Sequence, residues 1–194
     1  MNIRFAASGI FLSLLLSSAA QADCQADIQA IMKGMEASPP YRVAITSTAA
    51  GVTTEMAGEV ILPHSMRMNL PGMSMVMTPN GVWMGQAGEL KKMPDGMREQ
   101  VQDIIKQGMN LGMKGIEAPE CAGSTSFEGG DFDLYKYTAK GEVMGINSTS
   151  SVEMYVNGDG RPEWMVIDGE AMGVKSLTKQ HITYDDSIVI ADPN

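Results

Sequence analysis

The sequence predicts one α+β, mainly β domain, in which a strongly curved antiparallel sheet forms an incomplete β-barrel. Three observations predict this fold. Short segments of alternating apolar and polar residues run through most of the chain, and Pro and Gly turns separate them. Two segments with helical spacing of apolar residues, one N-terminal and one inserted, interrupt the series. A sheet of many strands curls, and the two helices are available to cover its concave face.

The N-terminus has the three parts of a secretion signal. Arg4 charges the leading segment, Phe5–Leu16 is an almost uninterrupted apolar run, and Ala20-Gln21-Ala22 is a small-residue cleavage site. The apolar run is shorter than the roughly 20 residues that span a bilayer, and no later segment is long and apolar enough. We therefore expect residues 1–22 to be a signal peptide and residues 23–194 to be one exported domain without a transmembrane anchor.

Charge and cysteine content narrow the function classes. The chain has 14 Lys and Arg against 23 Asp and Glu, and this net charge of −9 argues against nucleic acid and anionic membranes as partners. Two cysteines in an exported chain predict a disulfide between Cys24 and Cys121. A pair of metal thiolates is the alternative, although the CxxC spacing typical of such sites is absent.

The predicted elements follow in order from a helix over Cys24–Glu36, which Ser38-Pro39-Pro40 ends. A second helix begins at Pro94-Asp95 and runs to about Asn110, and Asn110–Glu120 is predicted to be a loop after it. Lys91-Lys92 is predicted to be a solvated turn. The predicted strands are Tyr41–Ala49, Val52–Leu62, His64–Leu70, Met73–Met77, Val82–Gly85, Phe132–Thr138, Thr149–Asn157, Glu163–Ile167, Val174–Lys179 and Ile182–Ile190.

Several motifs together resemble one superfamily. They are Pro39-Pro40-Tyr41, Gly58-Glu59-Val60-Ile61-Leu62-Pro63, Met66-Arg67-Met68, Gly81-Val82-Trp83-Met84, Lys91-Lys92-Met93-Pro94 and the closing Thr183–Ile190. In this order the chain resembles the LolA/LolB-like periplasmic lipoprotein carriers and their exported relatives. The resemblance implies a curved barrel with a helical lid over an apolar cavity. It also implies a periplasmic protein that holds acyl chains or another apolar ligand.

Methionine is unusually frequent, with 18 in 194 residues. Alternation places Met66 and Met68 on one face of a strand, and Met73, Met75 and Met77 on one face of the next. Three interpretations are open. The methionines pack an ordinary core, they form an adaptable wall for an apolar ligand, or, with His64, they bind a soft metal such as Cu(I).

The leading hypothesis is a non-enzymatic binding protein or carrier for a lipid, an acyl chain or another apolar ligand. Sequence signatures of hydrolases, metalloproteases and nucleotide-binding enzymes are absent. A copper-binding or copper-buffering protein using His64, Met66 and Met68 is one alternative, and an envelope protein-interaction or sensor module is another. The candidate ligand-binding residues are Met66, Met68, Met73, Met75, Met77 and Trp83 from the sheet, and Ile104, Ile105 and Met109 from the inserted helix.

Overall fold

The computed structural model describes residues 14–86, 88–101, 115–143 and 146–193. One long helix precedes a series of strands. These elements are α1 (Leu14–Met35), β1 (Tyr41–Ala49), β2 (Val52–Ile61), β3 (Ser65–Leu70), β4 (Met73–Thr78), β5 (Gly81–Gln86), β6 (Glu89–Lys92), β7 (Ile116–Phe127), β8 (Gly130–Val143), β9 (Ile146–Val156), β10 (Pro162–Ala171) and β11 (Val174–Tyr184).

All the strands belong to one antiparallel sheet that is strongly curved and does not close. Its order is β6-β5-β4-β3-β2-β1-β11-β10-β9-β8-β7, so two meanders lie side by side and join where β1 pairs with β11. The predicted fold class is therefore confirmed. In the part of the chain that the structure describes, no helix has the length and apolarity needed to cross a membrane.

The inner face of the sheet is defined here as the face that carries α1. The register pairs Tyr41 with Val60 and Val43 with Ile182, and because side chains alternate along a strand, all four point to this face. They are buried and form one apolar cluster, against which Met35 of α1 packs. The C-terminal end of α1 is therefore held over the middle of the sheet.

A second apolar cluster lies between the rest of α1 and strands β7 to β9. Its buried members are Cys24, Ile28, Ile116, Tyr137, Val152, Met154 and Val156. The predicted disulfide joins Cys24 of α1 to Cys121 of the edge strand β7, across 97 residues of sequence. This confirmed bond fastens the helix to one edge of the sheet.

The chain after β11 crosses the outer face. Asp185 accepts a hydrogen bond from Arg42 of β1, and Asp192 accepts one from Asn80 Nδ2 at 2.7 Å and another from the Thr78 hydroxyl. Between these two anchors the side chain of Ile188 is buried. Residues 185–193 therefore form a strap, which we call the C-terminal tail.

Several predicted elements need correction. The two strands predicted over Val174–Ile190 are the single strand β11, followed by the C-terminal tail. The loop predicted over Asn110–Glu120 contains the start of β7, and Lys91-Lys92 belongs to β6 rather than to a turn. Both missed elements are edge strands, which have one unpaired side and need less regular alternation. The inserted helix is present over residues 97–101, and its continuation to Asn110 lies outside the described residues.

Candidate ligand-binding face

The hairpin of β3 and β4 brings the predicted methionines together. The turn at Pro71-Gly72, where Gly72 has a φ of 73°, sets a register that pairs Met66 with Met77 and Met68 with Met75. Directly opposite residues on antiparallel strands share a face, with Cβ atoms about 5 Å apart. The two rows of methionines that alternation predicted on each strand therefore lie side by side on one face.

The neighbouring strands extend this patch across the inner face. Met66 pairs with Val60 of β2, and Met75 pairs with Met84 of β5. We call the set Met66, Met68, Met73, Met75, Met77 and Met84 the methionine face. Because Val60 belongs to the apolar cluster beneath the end of α1, the methionine face is continuous with the core.

Gly58 shows how closely one of these thioethers lies over the backbone. It pairs with Met68, and a Cβ added at Gly58 would lie only 2.2 Å from the Met68 sulfur. A larger residue at position 58 would therefore force Met68 to move. The glycine lets the Met68 side chain lie across β2 toward the central apolar cluster, where it packs.

Burial differs within the methionine face. Met77 is buried, with 2% of its surface exposed, whereas the other five are half-buried: Met66, Met68, Met73, Met75 and Met84. Half-buried thioethers on a face that is continuous with the core offer apolar surface to a further group. Methionine suits this role because it is unbranched and repacks readily.

Trp83 is not brought together with these methionines. It pairs with Val76 and Lys92 and points to the outer face, whereas its neighbours Val82 and Met84 point to the inner face. Its ring is buried and lies 5.6 Å from the Lys92 ammonium. The prediction that Trp83 lines the same surface as Met77 is therefore wrong, because the strand period of two separates them.

The helix side of the predicted site lies outside the described residues. Ile104, Ile105 and Met109 belong to the segment 102–114. The helix that would carry them begins at residue 97. Four residues earlier, the Met93 N–H donates a hydrogen bond to the Val82 carbonyl of β5 at 2.8 Å. Their contribution to the site stays a prediction.

The candidate copper ligands are partly close together. Met66 and Met68 point to the same face and pair with Met77 and Met75, which places four thioethers in two adjacent rows. His64 lies just before β3, in an exposed turn in which its backbone N–H donates to the Ile61 carbonyl at 3.0 Å. Across the described ranges, no three His, Cys, Asp or Glu residues are grouped as metal ligands would be.

A hollow that the sequence did not predict lies at the C-terminal end of α1. Its volume is about 430 Å³, and Ile31, Met35, Arg161 and Tyr184 contribute to its wall. The Tyr184 hydroxyl donates to the Pro162 carbonyl at 2.8 Å, and burial raises the pKa of this phenol to about 12. These residues come from α1, the β9–β10 turn and β11, so no local sequence signal marks the hollow.

The outer face has a second hollow, of about 390 Å³. Its polar wall includes Arg42, Glu59, Arg67 and His181. Glu59 accepts a hydrogen bond from Arg67 Nη1 at 2.9 Å and lies 3.7 Å from Arg42 Nε. Because its cations face carboxylates, this hollow presents no strong field of one sign.

Comparison with known proteins identifies the fold. No protein-family profile matches the sequence, and no curated protein matches it. Among solved structures, the Mycobacterium tuberculosis lipoprotein LppX aligns with a TM-score of 0.55 at 10% identity, over 88% of this chain and 99% of that one. A DUF1329 family protein from Desulfovibrio piger aligns with a TM-score of 0.36 at 10% identity, over 88% of this chain and 95% of that one. MucB aligns with a TM-score of 0.39 at 11% identity, over 90% of this chain and 61% of that one.

The likeness to LppX extends over nearly the whole of both chains, and at this identity it concerns the fold alone. The chain and that lipoprotein therefore share a fold. The strongly curved, incomplete sheet that the LolA/LolB-like resemblance implies is therefore confirmed.

Proposed function

We propose that this protein is a non-enzymatic periplasmic carrier that holds a lipid, an acyl chain or another apolar ligand against its methionine face. One observation carries the proposal. Five half-buried methionines, Met66, Met68, Met73, Met75 and Met84, lie on three neighbouring strands and on the face that holds the apolar core, and Met68, Met75 and Met84 pair in one row. A ligand that covers them would extend the core.

Methionine fits an acyl chain for physical reasons. Thioether side chains are flexible and polarizable, so they adapt to ligands of varied shape. Burial of apolar area contributes about 25 cal/mol per Å², before the costs of association are subtracted. The ligand is therefore expected to be bound by surface burial and not by a fixed set of hydrogen bonds.

Three features support a periplasmic location. The N-terminal segment has the features of a signal peptide, and the Cys24–Cys121 disulfide is typical of an oxidising compartment. The fold is shared with a protein described as a lipoprotein, which agrees with a function in the cell envelope. Cleavage after residue 22 would leave the part of α1 that carries Cys24, Ile28 and Met35.

Native mass spectrometry of the protein purified gently after export tests the proposal. We expect an adduct of several hundred daltons that dissociates as a lipid. The adduct should be lost from the variant Met66→Gln/Met75→Gln and retained in Met172→Gln, where an exposed methionine outside the face is changed. An adduct of the same mass and occupancy in all three proteins would place the ligand elsewhere.

Copper binding is the second candidate, and the adjacent pairs Met66–Met77 and Met68–Met75 favour it because thioethers suit Cu(I). Anaerobic Cu(I) titration measures this directly. Copper binding predicts tight uptake that His64→Ala/Met66→Ala abolishes while the circular dichroism spectrum stays unchanged. Weak uptake that is equal in the wild type and the variant would exclude this candidate.

A further inference from the structure

Two neighbouring hairpin turns at one end of the sheet expose apolar side chains. Ala50-Gly51 joins β1 to β2, Met172-Gly173 joins β10 to β11, and the pairing of β1 with β11 places the two turns side by side. Met172 is 80% exposed, Val52 67% and Val174 48%. We call Ala50, Val52, Met172 and Val174 the apolar rim.

Both turns place an apolar residue where the backbone has a positive φ. Ala50 has a φ of 50° and Met172 a φ of 52°, a left-handed conformation that side chains disfavour. Hairpin turns of this kind usually have Asn, Asp or Gly at that position. An observed conformational outlier that also exposes a large apolar side chain points to a role for the side chain itself.

The opposite end of the sheet provides an internal contrast. Its turns contain Glu128-Gly129, Pro79-Asn80-Gly81 and Asn157-Gly158-Asp159-Gly160. Glu128 has a φ of 49°, so a comparable backbone there carries a charged residue, which forms an ion pair with Lys179. The apolar character of the rim is therefore not a requirement of the turn geometry.

The charges near the rim are balanced. The first charged residues on either side of Met172 are Glu170 and Lys175, which lie directly opposite each other in the register. Between Arg42 and Glu55 the β1–β2 hairpin has no charged residue, and its hydroxyl groups pair locally, as Thr48 does with Thr53 at 2.9 Å. The rim is thus neutral on a chain whose net charge is −9.

These features select among possible partners. A second copy of the chain fits poorly, because a stable interface engages about 20–30 residues a side and the rim has four protruding side chains. An anionic membrane would repel a chain with a charge of −9. A bilayer with neutral headgroups accepts isolated apolar side chains without a complementary surface, and it exerts no such repulsion.

We propose that the apolar rim is a membrane-docking surface, whose side chains enter the interfacial region of a bilayer with neutral headgroups. Few side chains take part, so docking is reversible. The rim lies outside the methionine face, and the proposal does not depend on what ligand the protein holds.

Flotation of the exported protein with phosphatidylethanolamine and phosphatidylcholine vesicles tests the docking surface. In Met172→Asn/Val52→Thr, Asn suits the positive φ and Thr keeps the shape of Val, so the melting temperature should not fall. Loss of two apolar side chains that would enter the bilayer should weaken vesicle binding by about tenfold or more. The control is Val189→Thr, because Val189 is 77% exposed on the C-terminal tail and its change should leave binding unaltered.

Three results would overturn the docking surface. The first is a wild-type protein that does not float with the vesicles. The second is a rim variant that floats as the wild type does. The third is a dimer, detected by light scattering, that Met172→Asn/Val52→Thr dissociates, since a second copy of the chain would then be the partner.

Discussion

The two halves of the inner face are built from the same alternating strands, yet more of the side chains beneath α1 are fully buried than of those on the methionine face. Beneath α1, Ile28 and Met154 have no exposed surface and Val152 has 4%. On the methionine face, Met66 and Met75 are only half-buried. Met154 shows that methionine by itself does not mark a ligand surface. The grouping of five half-buried methionines on neighbouring strands, rather than the residue type, distinguishes the proposed site from the core.

Removal of the disulfide should have the largest effect, and it acts on the half beneath α1. In the chain-entropy model, a bond that closes a loop of about 100 residues contributes at most about 4–5 kcal/mol. Cys24→Ser/Cys121→Ser should therefore lower the free energy of unfolding in urea by an amount near that limit. A loss below about 1 kcal/mol would mean that α1 is held by packing alone.

Truncation of one side chain in each half should change the free energy of unfolding by different amounts. Ile28→Ala removes a fully buried side chain and should lower the free energy of unfolding by about 2–4 kcal/mol. Met75→Ala removes a half-buried one and should cost less, about 1–2 kcal/mol. Urea unfolding of the ligand-free proteins measures both. Equal losses would show that the two halves are equally buried.

The C-terminal tail should respond to acid, with a smaller effect on stability. Hydrogen bonds from Ser187, and then from Arg42, lower the pKa of Asp185 below 3.8, and bonds from Thr78 and Asn80 lower that of Asp192. A carboxyl group whose pKa is lower in the folded protein stabilises the fold at pH values above its pKa in the unfolded chain. This stabilisation is lost as the pH falls through its pKa in the folded protein. The anchoring of the tail by these two carboxylates should therefore begin to weaken as the pH falls below about 4.

Hydrogen exchange of tail amides between pH 3 and pH 6 measures this release, after correction for the intrinsic exchange rate. Asp192→Asn should weaken protection at pH 6 and reduce its further loss on acidification. Protection that is independent of pH in the wild type would contradict the assigned anchors.

The sequence predicted the elements whose pattern is local. Tyr41–Ala49 was predicted with the bounds that β1 has, because one wet and one buried face give strict alternation. β7 was missed because bulges near Glu120 and Cys121 interrupt its register, and because its edge position leaves most of it exposed. The pairing of β1 with β11 depends on residues at opposite ends of the chain, which no local pattern reveals.

For the candidate site, too, the sequence predicted the local pattern but not the tertiary arrangement. Alternation predicted which methionines share a face of each strand. Their pairing depends on the register that the Pro71-Gly72 turn sets in the structure. Trp83 was misplaced because it was grouped with the methionines by sequence proximity and not by its own strand parity. The exposure of Met172 depends on the tertiary arrangement of two hairpins, so the apolar rim had no sequence signal strong enough to be predicted.

Ligand binding by matched variants tests the central claim most directly. Titration of a dansyl-labelled fatty acid into the delipidated protein would compare the wild type, Met66→Gln/Met75→Gln and Met172→Gln, all checked for equal urea stability. The account predicts affinity weakened by about tenfold or more in the double variant, because two apolar contacts become polar, and unchanged affinity in Met172→Gln. Equal affinities in all three proteins would contradict a ligand site on the methionine face.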